Sequence, residues 1–154
     1  SLHDALPIFD ECGRSIGEEL LRPTHIYVPE VVEVLRAGVA VKGLAHISGD
    51  GLLNLLRLDA EVGYRFDALP SVSPIFSVIQ REGEIDDAEM YQVFNMGVGF
   101  CLVVAPADVD ATLAAVRSGG SEGVAAGVVL EGPRRIELPG AGLIGESGRF
   151  RPVD

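Results

Sequence analysis

Val39-Ala40-Val41-Lys42-Gly43-Leu44-Ala45-His46-Ile47-Ser48-Gly49-Asp50-Gly51-Leu52-Leu53-Asn54-Leu55-Leu56 is the stretch whose reading decides the fold. From Val39 to Ile47 it is apolar and rich in β-branched residues, the composition of a buried strand. Ser48 to Gly51 reads as a turn, and the apolar run Leu52 to Leu58 as a short helix. Strand, glycine turn and helix start, in that order, present free backbone N–H groups to an anion. Glycine there permits positive φ and lets a ligand approach with no Cβ in the way. His46 stands at the strand's exit, within reach of whatever the turn holds. The same pattern also serves plain turn geometry, so this stretch alone leaves both readings open.

A second glycine cluster, Phe94-Asn95-Met96-Gly97-Val98-Gly99-Phe100, leads into the most apolar segment of the chain, a strand expected over Gly97 to Ala105. Because Gly97-x-Gly99 enters a strand and not a helix, it is no dinucleotide fingerprint. Asn95 offers both a donor and an acceptor to a substrate amide or ribose, or else simply forms the turn. Ser48 either donates its hydroxyl to a phosphate or caps the following helix. Asp50 is read as a helix cap, ahead of a water-mediated Mg²⁺ ligand or a solvated side chain. Arg57 is either a phosphate-facing cation or a surface arginine, and Lys42 points toward the strand's edge.

Outward from these motifs, Thr24 to Val28 alternates as a short strand, in which Tyr27 either reaches a ligand or is half buried. Pro29 suits the first turn of a helix running to Ala37 and ended by Gly38. Further strands are expected at Glu61–Asp67, Val124–Glu131, Arg134–Leu138 and Gly142–Gly145, the last two forming a hairpin around Pro139-Gly140. Helices are expected from Pro74 to Arg81, Ala88 to Phe94 and Pro106 to Arg117. Ser147 to Asp154 reads as a tail. Ser1 to Ile8 reads as a translated sequencing-library adapter, a non-native addition, and residues 9–22 as a linker. The irregular mixture of strands and helices gives an α+β fold class, a layered α/β/α sandwich with a mixed sheet.

The chain has 154 residues, enough for one domain with its own core. Apolar residues make up 47% and the net charge is −11, which argues against a nucleic-acid partner or an anionic membrane surface. A phosphorylated ligand would have to be held by backbone N–H groups and a few placed cations. Cys12 and Cys101 stand in no metal-ligand spacing, and Cys101 suits a small core residue. A reducing cytoplasm is the default. Neither a membrane span, a zinc spacing, a Ser-His-Asp order nor a Walker-type Gly-Lys-Ser/Thr occurs.

Pro23-Thr24-His25-Ile26-Tyr27-Val28, His46-Ile47-Ser48-Gly49-Asp50-Gly51 and Glu89-Met90-Tyr91-Gln92-Val93-Phe94-Asn95-Met96-Gly97-Val98-Gly99 together resemble the C-terminal half of aminoimidazole ribonucleotide synthetases, the phosphoribosylformylglycinamidine cyclo-ligases. The resemblance covers Gly13 to Arg151. Ser48 stands where that family has Thr, and Asp50 where it has Gly. The resemblance implies partial ferredoxin-like topology, with residues 23–146 as the synthetase C-terminal domain. Residues 9–22 would then connect to an N-terminal domain carrying most of the ATP and Mg²⁺ ligands and most of a homodimer contact.

The implied function is ATP-dependent closure of the imidazole ring of formylglycinamidine ribonucleotide in purine biosynthesis, with the isolated fragment inactive. Its implied site residues are His46 for catalysis, and Ser48, Gly49, Asp50, Gly51, Asn95, Gly97 and Gly99 for substrate or phosphate, with no metal ligand among them. Alternatives are another ATP-using member of the same superfamily, such as selenophosphate synthetase or thiamine-phosphate kinase, and a stand-alone ligand-binding module without catalysis.

Overall fold

The computed structural model describes residues 8, 9 and 12–153. The reading of residues 1–8 as a non-native addition falls outside the described residues, except at Ile8. The first described element is a two-residue ladder, β1 (Ile8–Phe9) on β2 (Arg14–Ser15). Helix α1 (Ile16–Leu20) follows at once, closed by a capping box in which the Ser15 hydroxyl accepts from Glu18 N–H and the Glu18 carboxylate accepts from Ser15 N–H. The segment expected as linker is therefore partly structured.

Thr24 to Val28 is not a strand. Tyr27 lies at φ −81°, ψ 0°, and helix α2 (Val28–Arg36) begins directly after it with Pro29 in its first turn. Proline's fixed φ and missing donor suit that position. Next come β3 (Gly43–His46), a 3₁₀ helix over Gly51–Arg57, and β4 (Val62–Phe66). Helix α3 (Pro74–Gly83) opens on Pro74, though the Ser73 side chain makes no capping bond. Helix α4 (Asp87–Val93) is capped by the Asp86 carboxylate, which accepts from Glu89 N–H at 2.8 Å.

β5 (Phe100–Val103) leads through a 3₁₀ turn at Pro106–Asp108 into α5 (Val109–Ser118). β6 (Gly127–Glu131), β7 (Ile136–Leu138), β8 (Leu143–Glu146) and β9 (Arg149–Pro152) complete the chain. β3 pairs antiparallel with β5, and the other five strands lie in the order β6-β4-β7-β8-β9. Within that sheet β4 and β7 run parallel while the remaining pairs are antiparallel, so the sheet is mixed as expected.

The β3–β5 ladder lies between two apolar clusters, and the alternation of its side chains explains why. Ala45, with Cys101 opposite it and Val103 opposite Gly43, faces the main core of Ile47, Leu52, Leu55, Phe66, Ile136 and Leu138. Leu102 and the flanking Val41 and Val104 face the other way, onto Val34, Val39, Ala115 and Val116 between α2 and α5. The α+β class and the mixed sheet are as the sequence implied, although the ladder's second face meets the core of the five-stranded sheet and not a second helix layer. Cys101, partly buried against the main core, has its thiol pKa pushed up to about 12 by desolvation.

The expected tail is instead the edge strand β9. Ser147 and Gly148 both take positive φ, 51° and 82°, and make the two-residue turn that pairs Glu146 with Arg149. Phe150, only 5% exposed, stacks edge-on against Tyr91 and joins the main core. Replacing a buried phenylalanine by alanine costs about 3–5 kcal/mol. Phe150→Ala should lower unfolding stability by roughly that amount in chemical denaturation, and a loss under about 1 kcal/mol would show that the strand is not part of the core.

Candidate functional site

The antiparallel register puts His46 opposite Phe100, at the end of the β3–β5 ladder. One residue further on, Ile47 N–H donates to the Gly99 carbonyl at 2.9 Å, so the pairing runs into both glycine motifs. The two clusters, about fifty residues apart in sequence, thus lie side by side. Tyr27 closes the group from a third segment. Its ring centroid is 5.4 Å from Phe100 and 6.2 Å from His46, while His46 and Phe100 are 6.3 Å apart. A Cβ on Gly99 would overlap the Tyr27 hydroxyl, so glycine there is what admits the tyrosine. Burial raises the Tyr27 pKa, with the Glu30 carboxylate adding to the effect.

Tyr27 is held in turn by a polar cluster beneath it. The His25 ring packs edge-on against it at 4.7 Å. His25 Nε2 lies 2.8 Å from Glu30 Oε1, which also accepts a short hydrogen bond from the Ser121 hydroxyl. Glu30 is only 5% exposed, and its other oxygen is buried with no hydrogen-bond partner among the described residues. The Ser121 hydrogen bond is the largest influence on the Glu30 carboxyl, holding its pKa below the usual value against the opposing effect of burial. Because Ser121 and Glu30 both meet His25 at the same ring nitrogen, the three do not form a nucleophile relay.

The Ser48–Gly51 turn differs from its sequence reading in detail. Asp50 occupies the N-cap position of the 3₁₀ helix at φ 72°, yet its side chain makes no capping bond. Its Oδ2 lies 2.5 Å from Arg57 Nη2 instead, so capping gives way to an ion pair, and Ser48 stands too early to be the cap. Gly51, at φ 52°, donates its N–H back to the Ser48 carbonyl at 3.0 Å. A Cβ on Gly51 would run into the backbone carbonyls of Tyr91 and Phe94, so packing against the end of α4 demands glycine there. Ser48, Gly49 and Asp50 are exposed.

Asn54 is the residue that the sequence reading passed over. It is 4% exposed and donates both Nδ2 hydrogens inward, to Gly49 O at 2.9 Å and Gly51 O at 2.8 Å. Its Oδ1 is buried without a partner among the described residues, a cost of about 1–3 kcal/mol that the two bonds to the turn must offset. The signal was a lone amide inside the apolar run Leu52–Leu58, where a polar residue needs a structural reason. In the second cluster, Asn95 Oδ1 accepts from Gly97 N–H at 3.0 Å, so Asn95 does form the turn.

His46 and Asn54, with Leu44, Ala45, Arg57 and Leu58, line a cavity of about 260 Å³. That is room for part of a ligand and not for a nucleotide, whose enclosure needs several hundred Å³. Among the described residues no group of three or more His, Cys, Asp and Glu could hold a metal. Asp50, the carboxylate of the turn, is committed to Arg57, so these residues do not fit a Mg²⁺ site. Among the described residues no helix is long and apolar enough to cross a membrane.

An α+β domain whose ladder end gathers an exposed histidine, two backbone turns and a partial cavity is the class that the fold defines. Comparison with known proteins agrees with that class. The family described as AIR synthase related protein, C-terminal domain, matches residues 2–137, and the chain belongs to this family. It is 59% identical over 99 residues to a phosphoribosylformylglycinamidine cyclo-ligase of Methanothermobacter thermautotrophicus, covering 64% of this chain and 29% of that protein. A cyclo-ligase of Methanosarcina acetivorans is 45% identical over 120 residues, 78% of this chain and 34% of that one. The chain thus spans about a third of the length of the curated relatives it matches.

The Glu30 cluster makes an acid-side prediction. A carboxyl whose pKa is lower folded than unfolded stabilises the fold fully above the unfolded value, near 4.3. That contribution is lost as pH falls through the lower folded value. Glu30→Gln should therefore lose stability at neutral pH and flatten the decline below about pH 4 in denaturation measured across pH. An acid limb identical to the parent's would show that Glu30 carries none of it.

Proposed function

We propose that this chain is the C-terminal domain of a phosphoribosylformylglycinamidine cyclo-ligase and supplies one wall of the cleft in which formylglycinamidine ribonucleotide closes to aminoimidazole ribonucleotide. The observation that carries this reading is the convergence of His46, the Ser48–Gly51 turn and the Asn95–Gly99 turn at one ladder end. The identity to relatives bearing the cyclo-ligase name supports it. ATP is the second substrate in this reading. Its γ-phosphoryl group passes to the formyl oxygen, an internal amidine nitrogen attacks that carbon, and phosphate departs with the oxygen.

Each group of this chain has a bounded task. His46, exposed and flanked by the Tyr27 and Phe100 rings, stabilises negative charge on the phosphorylated oxygen as the ring closes. The Ser48 hydroxyl and the N–H groups of the exposed residues Gly49 and Asp50 contact phosphate oxygens. Gly51 serves by permitting the turn, and Gly97 and Gly99 by admitting the substrate and Tyr27. Asn95, with its oxygen spent on Gly97, contributes its amide hydrogens to the substrate. Mg²⁺ and most ATP contacts belong to the rest of a cytoplasmic, homodimeric enzyme, and the domain alone does not turn over.

The test is a chimera in which this chain replaces the matching C-terminal segment of the Methanothermobacter thermautotrophicus cyclo-ligase. The chimera should form aminoimidazole ribonucleotide and release ADP, and His46→Ala within it should lower kcat/KM by roughly a hundredfold or more. A folded chimera without turnover would contradict the reading, and an undiminished His46→Ala variant would remove His46 from the chemistry.

A further inference from the structure

Arg57 borders two cavities at once. One, of about 260 Å³, has His46 and Asn54 in its wall. The other, of about 360 Å³, is bounded by Asp50, Leu53, Leu56 and Gly148. The Arg57 side chain is 67% exposed and that of Asp50 60% exposed, yet they meet at 2.5 Å. No packing imposes this contact. A guanidinium is a planar donor fork suited to oxyanions, and here the oxyanion comes from the chain itself. Asp50 reaches Arg57 from φ 72°, a left-handed conformation that glycine adopts freely and aspartate less readily. Glycine would be the least strained residue at this position and would leave Arg57 without the carboxylate.

We propose that Arg57 is the phosphate-monoester contact of this cleft, and that Asp50 is a built-in competitor that occupies the guanidinium until a dianion displaces it. A phosphate monoester at neutral pH carries between one and two negative charges and three acceptor oxygens, so it outbids a single carboxylate for the same fork. The smaller cavity, which Arg57 and His46 both line, takes the phosphate together with the sugar next to it. This deepens the proposed function and rests on it for the ligand's identity, because the substrate in that reading carries a ribose phosphate.

The experiment titrates the chain at low ionic strength with ribose 5-phosphate and, separately, with inorganic phosphate. Backbone resonances of residues 46–58 and the Arg57 Nε–H signal are followed by NMR. Asp50→Asn removes the charge with a residue that tolerates positive φ, and Asp50→Gly repeats the test without any side chain. Both should bind ribose 5-phosphate roughly two- to fivefold more tightly than the parent, the range an exposed ion pair can withhold. Adding Arg57→Gln should abolish the gain, and ribose 5-phosphate should bind more tightly than inorganic phosphate. No gain in either Asp50 variant, or a gain that survives Arg57→Gln, would overturn the competitor role. Inorganic phosphate binding as tightly as ribose 5-phosphate would overturn the monoester assignment. Because the titration involves no turnover, its failure is separable from failure of the cyclo-ligase chimera.

Discussion

The hydrogen bond from Ile47 N–H to the Gly99 carbonyl, together with the seating of Tyr27 on Gly99, is the constraint on which the site depends. The bond extends the β3–β5 ladder past its last paired residues and joins the two glycine motifs. The tyrosine then brings in a third segment and walls His46 on one side. None of the three segments would form a ligand surface alone. The ladder that aligns them is fixed on both faces, by the main core through Ala45, Cys101 and Val103, and by α2 and α5 through Leu102. A ladder packed on both sides has little freedom to shift register, because a one-residue slip would exchange the two faces.

Rigidity of the turn has its own source. Asn54 anchors the carbonyls of Gly49 and Gly51 from below, and the Gly51 N–H closes back onto Ser48. The outward side of the turn is left to Ser48, Gly49 and Asp50. On that side the Asp50–Arg57 pair sets the local charge. Exposed ion pairs contribute at most about 1 kcal/mol, so this pair adds little to stability, and under the proposal above its weight falls on which anion the turn accepts. The acidic character of the whole chain, at −11, makes such local placement of a cation important.

Much of the fold was legible because local signals agreed with tertiary packing. Pro29, Pro74 and Pro106 mark helix starts where helices begin, and the hairpin around Pro139-Gly140 is present. Where the reading failed, a contact distant in sequence decided the outcome. The alternation of His25, Ile26, Tyr27 and Val28 suggested a strand, but Tyr27 turns to meet Gly99 and the helix begins one residue later. The Arg149-Phe150-Arg151 alternation was short enough to pass as a tail, although Ser147-Gly148 carried the turn signal and Phe150 the core contact. At the site, His46 and both glycine clusters could be picked out from residue type and order. The ion pair of Asp50 could not, since it depends on how the 3₁₀ helix folds back over the turn; Asn54 stood out as a lone amide in an apolar run, but the carbonyls it anchors did not.

The account's central claim is that three sequence segments form one surface around Gly99. Nuclear Overhauser contacts in the isotopically labelled chain test it most directly. The account predicts cross-peaks from the Tyr27 ring to the Gly99 α-protons and to the Phe100 ring, together with one between Ile47 N–H and the Gly99 α-protons. A folded chain in which the Tyr27 ring shows no contact to Gly99 would contradict it, because the wall beside His46 would then be missing.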